Sequence, residues 1–173
     1  SEHLAHLVAA ADGQQISGES IVSAHHCANV LFNIMRGGVL DNSYQIHRNQ
    51  LDLHLRSIIG TNGANFDAWI NKLPNLLSIM QLAEYSETTE TQVRRACLEY
   101  LPLVFSRRHG DPSRPWNLFS IKTKDATGSP VVGFQGNWRD IFQNWEALSW
   151  SFPNYNLSFI RKFLNASTAD GYN

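Results

Sequence analysis

The spacing of apolar residues is the feature that most constrains the fold, because it follows the helical repeat over most of the chain. Between Ile21 and Met35, apolar side chains recur every three or four positions, and Gly37-Gly38 follows directly. Such a stripe lets a helix pack on a core, and glycine commonly stands just past a helix end. The pattern predicts a helix over 21–35.

The same spacing predicts a series of further helices. They cover residues 44–59, 66–73 with a continuation to 82, 91–105, 137–150 and 155–166. We expect Pro74 to end the helix over 66–73. We expect Pro102 to kink the helix over 91–105 or to end it early, because proline lacks the backbone N–H that a helix interior needs. Successive helices joined by loops predict helical hairpins.

A different pattern appears between residues 116 and 134. Two short strand-like runs, Trp116–Ile121 and Pro130–Phe134, flank the turn-forming segment Lys124–Gly128. Turn residues between two such runs are typical of a β-hairpin. We therefore predict a mainly α fold of helical hairpins with a small inserted β-hairpin at 116–134.

The length allows two interpretations of the domain organisation. A chain of 173 residues can bury enough surface to form a single helical domain over 1–173. Ser1 opens directly into helical pattern, and Asp170-Gly171-Tyr172-Asn173 ends in loop-like residues. These ends lead us to expect a fragment cut from a longer protein as the other interpretation.

The charge balance and the cysteines limit the partners and the compartment. With 14 basic and 15 acidic residues the formal net charge is −1, whereas nucleic acid and anionic lipid select clusters of Lys and Arg. The apolar runs are also far shorter than the roughly 20 residues that cross a bilayer. We expect neither nucleic acid nor a membrane as partner. Cys27 and Cys97 stand in apolar contexts typical of free thiols, which indicates a reducing compartment such as the cytoplasm.

Histidines offer the main candidates for a metal site. In His25-His26-Cys27, neighbouring helical residues point about 100° apart, and no matching ligand follows one turn later. We therefore expect no metal and no other cofactor. His47 and His54 are predicted to lie at the surface or at helix ends.

The residues that best indicate a ligand lie on the predicted helix 137–150. Arg139, Gln143 and Glu146 fall on one narrow stripe of this helix, and Asp140 and Asn144 lie beside it on the same polar side. Trp138 and Trp145 lie on the other, apolar side. Guanidinium, carboxylate and amide groups match the paired donors and acceptors of sugar hydroxyls, and aromatic faces such as those of Trp138 and Trp145 stack on pyranose rings. The alternative is an ordinary amphipathic helix with a solvated polar side and tryptophans in the core.

The segment Gly136-Asn137-Trp138-Arg139-Asp140-Ile141-Phe142-Gln143-Asn144 resembles a known family. It is similar to the Arg-Asp-x-x-Gln-Asp stretch that opens a helix of the six-hairpin (α/α)6 barrel in cellobiose-phosphorylase-like glycoside phosphorylases, where an Asp-Gly loop like Asp170-Gly171 lies downstream. The segments 24–41 and 136–173 also resemble parts of long bacterial proteins related to six-hairpin glycosidases. The resemblance implies a fragment of an (α/α) barrel in which Arg139 and Asp140 bind sugar hydroxyls and Gln143 supports them. Asn144 departs from the family's Asp.

This resemblance also sets expectations about the reaction. Glycosidic cleavage needs a carboxylic acid to protonate the leaving oxygen, with phosphate or an activated water as the nucleophile. The family's acid lies downstream and would fall beyond Asn173, so the chain would lack its general acid and the catalytic residue is unknown. The expected partners are an oligosaccharide or glycoside, inorganic phosphate in the case of phosphorolysis, and the rest of the parent chain or a second copy.

Two further interpretations stay open. The basic loop with Arg107, Arg108 and Arg114 either binds phosphate or pairs with carboxylates elsewhere in the chain. The chain as a whole is either part of a carbohydrate-active protein or a non-catalytic helical module that binds another protein through an apolar surface.

Overall fold

The fold is mainly α, as the apolar spacing predicted. A computed structural model describes residues 2–11, 20–60, 63–105, 124–129 and 138–170. The helices in these ranges are α1 (Glu2–Ala10), α2 (Ser20–Gly37), α3 (Arg48–Ile59), α4 (Ala64–Lys72), α5 (Ile79–Ser86), α6 (Thr91–Leu98), α7 (Trp138–Ser151) and α8 (Asn156–Ala166).

Short antiparallel strand pairs connect segments that are far apart in the sequence. Strand β1 (Val39–Leu40) pairs with β4 (Leu103–Phe105), and β2 (Ile46–His47) pairs with β3 (Leu76–Leu77). The strands of the hairpin predicted at 116–134 lie outside the described residues. Within that stretch, residues 124–129 are described and form a turn, in which the carboxylate of Asp125 accepts hydrogen bonds from the backbone N–H groups of Thr127 and Ser129.

The predicted helix over 44–59 begins later than its apolar spacing suggested, because α3 starts at Arg48. The preceding residues Asn42, Ser43 and Tyr44 have positive φ angles, which no right-handed helix contains. Ile46 and His47 are then held extended by pairing with β3. Strand pairing across the fold therefore removes the first turn of the predicted helix.

The predicted helix over 91–105 ends early, as Pro102 suggested. Helix α6 ends at Leu98, and the backbone N–H of Asp41 donates a hydrogen bond of 2.8 Å to the carbonyl oxygen of Pro102. The next residues form β4 against β1. The apolar residues after the proline thus belong to a strand at the core.

Helix α7 is the main packing element for the two helices beside it. It lies against α2, where Asn33 donates a hydrogen bond of 2.8 Å to the hydroxyl of Ser151. It packs on α8 through aromatic rings, with the Phe142 and Phe163 centroids 4.4 Å apart. Helix α8 in turn contacts α6, and α6 contacts α3 and α5. This arrangement brings α3, α6 and α8 together at one side of the core.

The described part of the chain contains no helix long and apolar enough to cross a membrane. Both cysteines are free thiols, with Cys97 buried and Cys27 half-buried. Within the same ranges, His, Cys, Asp and Glu side chains form no group of three or more that could hold a metal ion.

Candidate functional site

The polar residues predicted to bind a sugar are on helix α7, but the structure describes only some of their side chains. Trp138, Arg139 and Asp140 form its first turn, and their side chains lie outside the described part. Gln143 and Glu146 are exposed on the solvent side, in agreement with the predicted polar stripe. Arg139 and Asp140 therefore stay predictions.

Trp145 is a core residue, which corrects its predicted role as a stacking surface for a sugar. Its side chain is 1% exposed. The indole ring stacks on Phe159 of α8 at 5.3 Å between centroids and also meets Phe142 at 5.7 Å. A ring enclosed in this way has no free face for a pyranose, because its apolar surface already stabilises the α7–α8 contact.

Asn144 is also buried, although the helical wheel placed it on the polar side. It is 3% exposed, and its backbone lies against Gly37 of α2. Its amide nitrogen has no hydrogen-bond partner within the described ranges. Asp170 at the other end of the resembling segment is exposed, and its carboxylate accepts a hydrogen bond from Thr168. The basic loop with Arg107, Arg108 and Arg114 lies outside the described residues.

A cleft of about 440 Å³ lies between α6 and the C-terminal ends of α3 and α8, and we refer to it as the α3–α6–α8 cleft. Its volume falls in the range of clefts that hold small molecules, roughly 300–1,000 Å³. The lining combines aliphatic side chains with polar and charged groups: Ile58, Ile59, Gln92, Arg95, Ala96, Glu99, Lys162, Asn165 and Ala166.

The polar side chains of the cleft are connected by hydrogen bonds and an ion pair. The amide of Asn165 donates to the Glu99 carboxylate at 2.7 Å, and the guanidinium of Arg95 donates to the Asn165 carbonyl oxygen at 3.4 Å. The Lys162 ammonium lies 3.7 Å from the other oxygen of Glu99. Because the Glu99 and Lys162 side chains are only 12% and 18% exposed, this pair is shielded from solvent. These contacts hold an acceptor and several donors in fixed positions.

His54 lies close to this ion pair, which corrects the prediction that it is a surface or helix-end residue. Burial is the largest cause that lowers its pKa from 6.5 to about 4, the positive charge of Lys162 lowers it further, and Glu99 opposes these effects. Its ring meets the Tyr100 ring edge-on at 4.9 Å. The Nε2 atom of His54 and the hydroxyl of Tyr100 have no hydrogen-bond partner in the described part of the chain. His54 is therefore neutral at pH 7, and the charges in the cleft are those of its lining residues.

Sequence reasoning missed these cleft residues, although each helix carried a partial signal. Gln92, Arg95 and Glu99 follow one another at three and four positions on and just after α6, and Lys162 and Asn165 are three apart on α8. Each set could have indicated a polar helix face. Local spacing could not show that the polar faces of α6 and α8 meet, because they are about 70 positions apart in the sequence.

Comparison with known proteins gives no family assignment. No protein-family model matches the chain, and no curated protein matches it significantly. The resemblance to glycoside phosphorylases therefore stays a prediction from residues 136–144 and 170–171.

Proposed function

We propose that the chain binds a carbohydrate and belongs to a carbohydrate-active protein of the six-hairpin (α/α)-barrel type, which cleaves glycosidic bonds by phosphorolysis or hydrolysis in the cytoplasm. The observation that carries the proposal is the α3–α6–α8 cleft, whose lining joins a fixed polar network to aliphatic surface. The Arg-Asp-x-x-Gln stretch at Arg139 supports the same class of ligand independently of the cleft.

The chemistry of the cleft suits a polyhydroxylated ring. Each sugar hydroxyl can both donate and accept a hydrogen bond, so the Glu99 carboxylate can accept from one hydroxyl while the amide of Gln92 or the guanidinium of Arg95 donates to its neighbour. The C–H faces of the ring would pack on Ile58, which lines the cleft and is 50% exposed. A purely apolar ligand would cover these polar groups without forming hydrogen bonds to them, and burial of polar groups without such bonds is unfavourable.

The proposal assigns binding to this cleft and does not assign the bond-breaking step to it. Among the described lining residues Glu99 is the only carboxylate, and its oxygens contact Asn165 and Lys162. Cleavage requires a proton donor together with a phosphate or a base on the opposite face of the sugar. In this proposal Arg139, Asp140 and Gln143 hold a further part of the same glycoside, and none of the residues named here is assigned as the general acid.

The test is thermal stabilisation and calorimetric titration with glucose, cellobiose and other glucosides, each with and without inorganic phosphate. A ligand that binds only the folded state raises its stability, by about 2.7 kcal/mol at a concentration one hundred times the dissociation constant. The Arg95→Ala variant should lose binding, whereas Arg94→Ala is the matched control, because Arg94 is an exposed neighbour with the same charge that does not line the cleft. Equal loss of binding in both variants, or no binding by the folded chain without substitutions, would refute the proposal.

Variants on α7 separate the cleft from the resembling stretch. Arg139→Ala and Gln143→Ala should weaken binding if the glycoside also reaches the first turns of that helix. If they have no effect while Arg95→Ala abolishes binding, the α3–α6–α8 cleft binds the sugar without them. The opposite result would assign the ligand to α7 and leave the cleft without a role.

A specific observation favours the second candidate, a non-catalytic helical module that binds another protein. On α8 the apolar residues Leu157, Ile160 and Leu164 share one face and are 60%, 51% and 62% exposed. Exposed apolar faces of this kind are typical of interaction surfaces. Failure of every sugar to bind a folded protein would favour this candidate.

A further inference from the structure

Helix α2 is unusually apolar for the exposure of its residues. Arg36 is the only residue with a full formal charge among its 18 residues, and the side that faces the core buries Val30, Ile34 and Gly37. A surface helix normally carries charged residues on the side opposite its packed face. Helix α2 instead carries apolar residues there.

These residues form what we name the outer stripe: Ile21, Ala24, Ala28, Phe32 and Met35. Their spacing of three, four, four and three positions keeps them within a sector of about 80° on the helix. Ile21, Phe32 and Met35 are 72%, 61% and 72% exposed, and both alanines are exposed. The stripe lies roughly opposite Val30, so it points away from the α2–α7 contact.

The outer stripe is self-complementary about its central residue, and we propose that it pairs with the same stripe of a second copy of this chain in antiparallel orientation. A twofold axis at Ala28 brings Ala24, four residues before it, opposite Phe32, four residues after it. The same axis brings Ile21 opposite Met35. Phe32, the large side chain inside the stripe, therefore meets the small Ala24, and this pairing of large with small gives the interdigitation that helix packing needs.

The small central residue and the charges support this occupant and this orientation. Ala28 opposite its own copy allows the helix axes to approach to about 8 Å. The axis places Arg36 opposite Ser20, so the two arginines are separated by about 24 Å along the helix, further than a Debye length. A parallel pair would instead bring the two Arg36 side chains next to each other. An antiparallel contact about a twofold axis avoids this repulsion.

The size of the interface predicts its strength. The stripe is about 21 Å long, and one helix on each side contributes less than the roughly 1,200 Å² of total buried area at the lower limit of stable interfaces. The dimer should therefore be reversible and depend on protein concentration. This inference is independent of sugar binding, so either proposal can fail while the other stands.

Sedimentation velocity over a concentration series tests the dimer. The chain without substitutions should shift from monomer to dimer as its concentration rises. Phe32→Glu should raise the dissociation constant of the dimer by at least about tenfold, because the charge would be buried against Ala24 of the second copy. The matched control is Leu53→Glu, on α3, where Leu53 is 71% exposed; it should leave the association unchanged. Circular dichroism checks that both variants are folded. The proposal would be overturned if the chain without substitutions stays monomeric, or if both variants lose association equally.

Disulfide trapping tests the orientation. In a Cys27→Ser background, Ala28→Cys should form a cross-linked dimer on oxidation, because residue 28 meets its own copy at the axis. Ala24→Cys should not cross-link, since it faces Phe32. Cross-linking at both positions would indicate a parallel pair and would overturn the antiparallel arrangement, and absence of cross-linking at residue 28 in an associating protein would overturn the position of the axis.

Discussion

Gly37 occupies a close contact between α2 and α7, and its replacement by alanine tests that packing directly. A Cβ atom on Gly37 would lie 2.7 Å from the Cβ of Leu148 and 2.8 Å from the carbonyl oxygen of Asn144. Normal contacts between carbon atoms are about 3.5–4.0 Å. Neither contacting atom can move away by a side-chain rotation, because one is a Cβ and the other belongs to the backbone. The helices would have to separate by roughly 1 Å.

Two opposing effects decide the magnitude for Gly37→Ala. Alanine favours the helix by about 0.5–1 kcal/mol relative to glycine. Overpacking a close contact costs about 1–3 kcal/mol, and separation of α2 from α7 would also strain the hydrogen bond from Asn33 to Ser151. We expect a net loss of about 1–2 kcal/mol in the free energy of unfolding, which lowers Tm by about 2–8 °C in a chain of this size.

Urea unfolding and thermal unfolding, both followed by circular dichroism, measure this effect. The control is Ser23→Ala, an exposed position on the same helix where alanine gains helix propensity without meeting a neighbour. Ser23→Ala should be as stable as the chain without substitutions, or slightly more stable. If Gly37→Ala is equally stable, α2 and α7 do not approach each other as closely as these distances require.

The remaining predictions concern single side chains. Because the folded-state pKa of His54 is lowered to about 4 from 6.5, the folded protein binds fewer protons than the unfolded chain between these values, so stability is lost as pH falls from about 6.5 towards 4. The loss should reach about 3 kcal/mol, and His54→Phe should remove this part of the pH dependence in urea titrations at pH 7 and pH 4.5. Burial raises the pKa of the Cys97 thiol to about 12, so a thiol reagent should modify half-buried Cys27 in the native protein and Cys97 only after denaturation; rapid modification of both would contradict the buried position. Ser78→Ala removes a capping box in which Ser78 and Gln81 exchange hydrogen bonds, and chemical unfolding should show a loss of about 1 kcal/mol, whereas an unchanged midpoint would mean that the cap contributes nothing.

Much of the helical structure could be predicted from apolar spacing and from the residues at helix ends. The helix predicted over 21–35 appears as Ser20–Gly37, and the one predicted over 137–150 appears as Trp138–Ser151. The predicted boundaries were wrong where segments pair as strands. Ile46 and Leu103 belong to strand pairs because their backbone groups bond to residues about 30 or more positions away, and local spacing contains no information about such partners.

The candidate site shows the same limit more strongly. Helical spacing gave the direction of Gln143 correctly, because solvent exposure on one helix follows from its own sequence. The same spacing assigned Trp145 to the apolar side but could not decide whether α8 covers it. His54 was predicted to lie at the surface or at a helix end, and only the packing of α3 against α6 makes it a half-buried neighbour of an ion pair.

The sequence by itself determined the mainly α class and the polar side of α7, because periodicity within one helix encodes which residues share a face. It did not determine which face of α2 is buried, since Phe32 and Met35 of the apolar stripe expected to pack on a core are exposed. Only the tertiary structure decided which faces meet. Glu99 and Lys162 come together because the aromatic contacts of α7 fix the position of α8, and α8 in turn packs on α6. A cleft formed by several helices depends on contacts between distant parts of the chain, and these contacts arise from packing of the whole core.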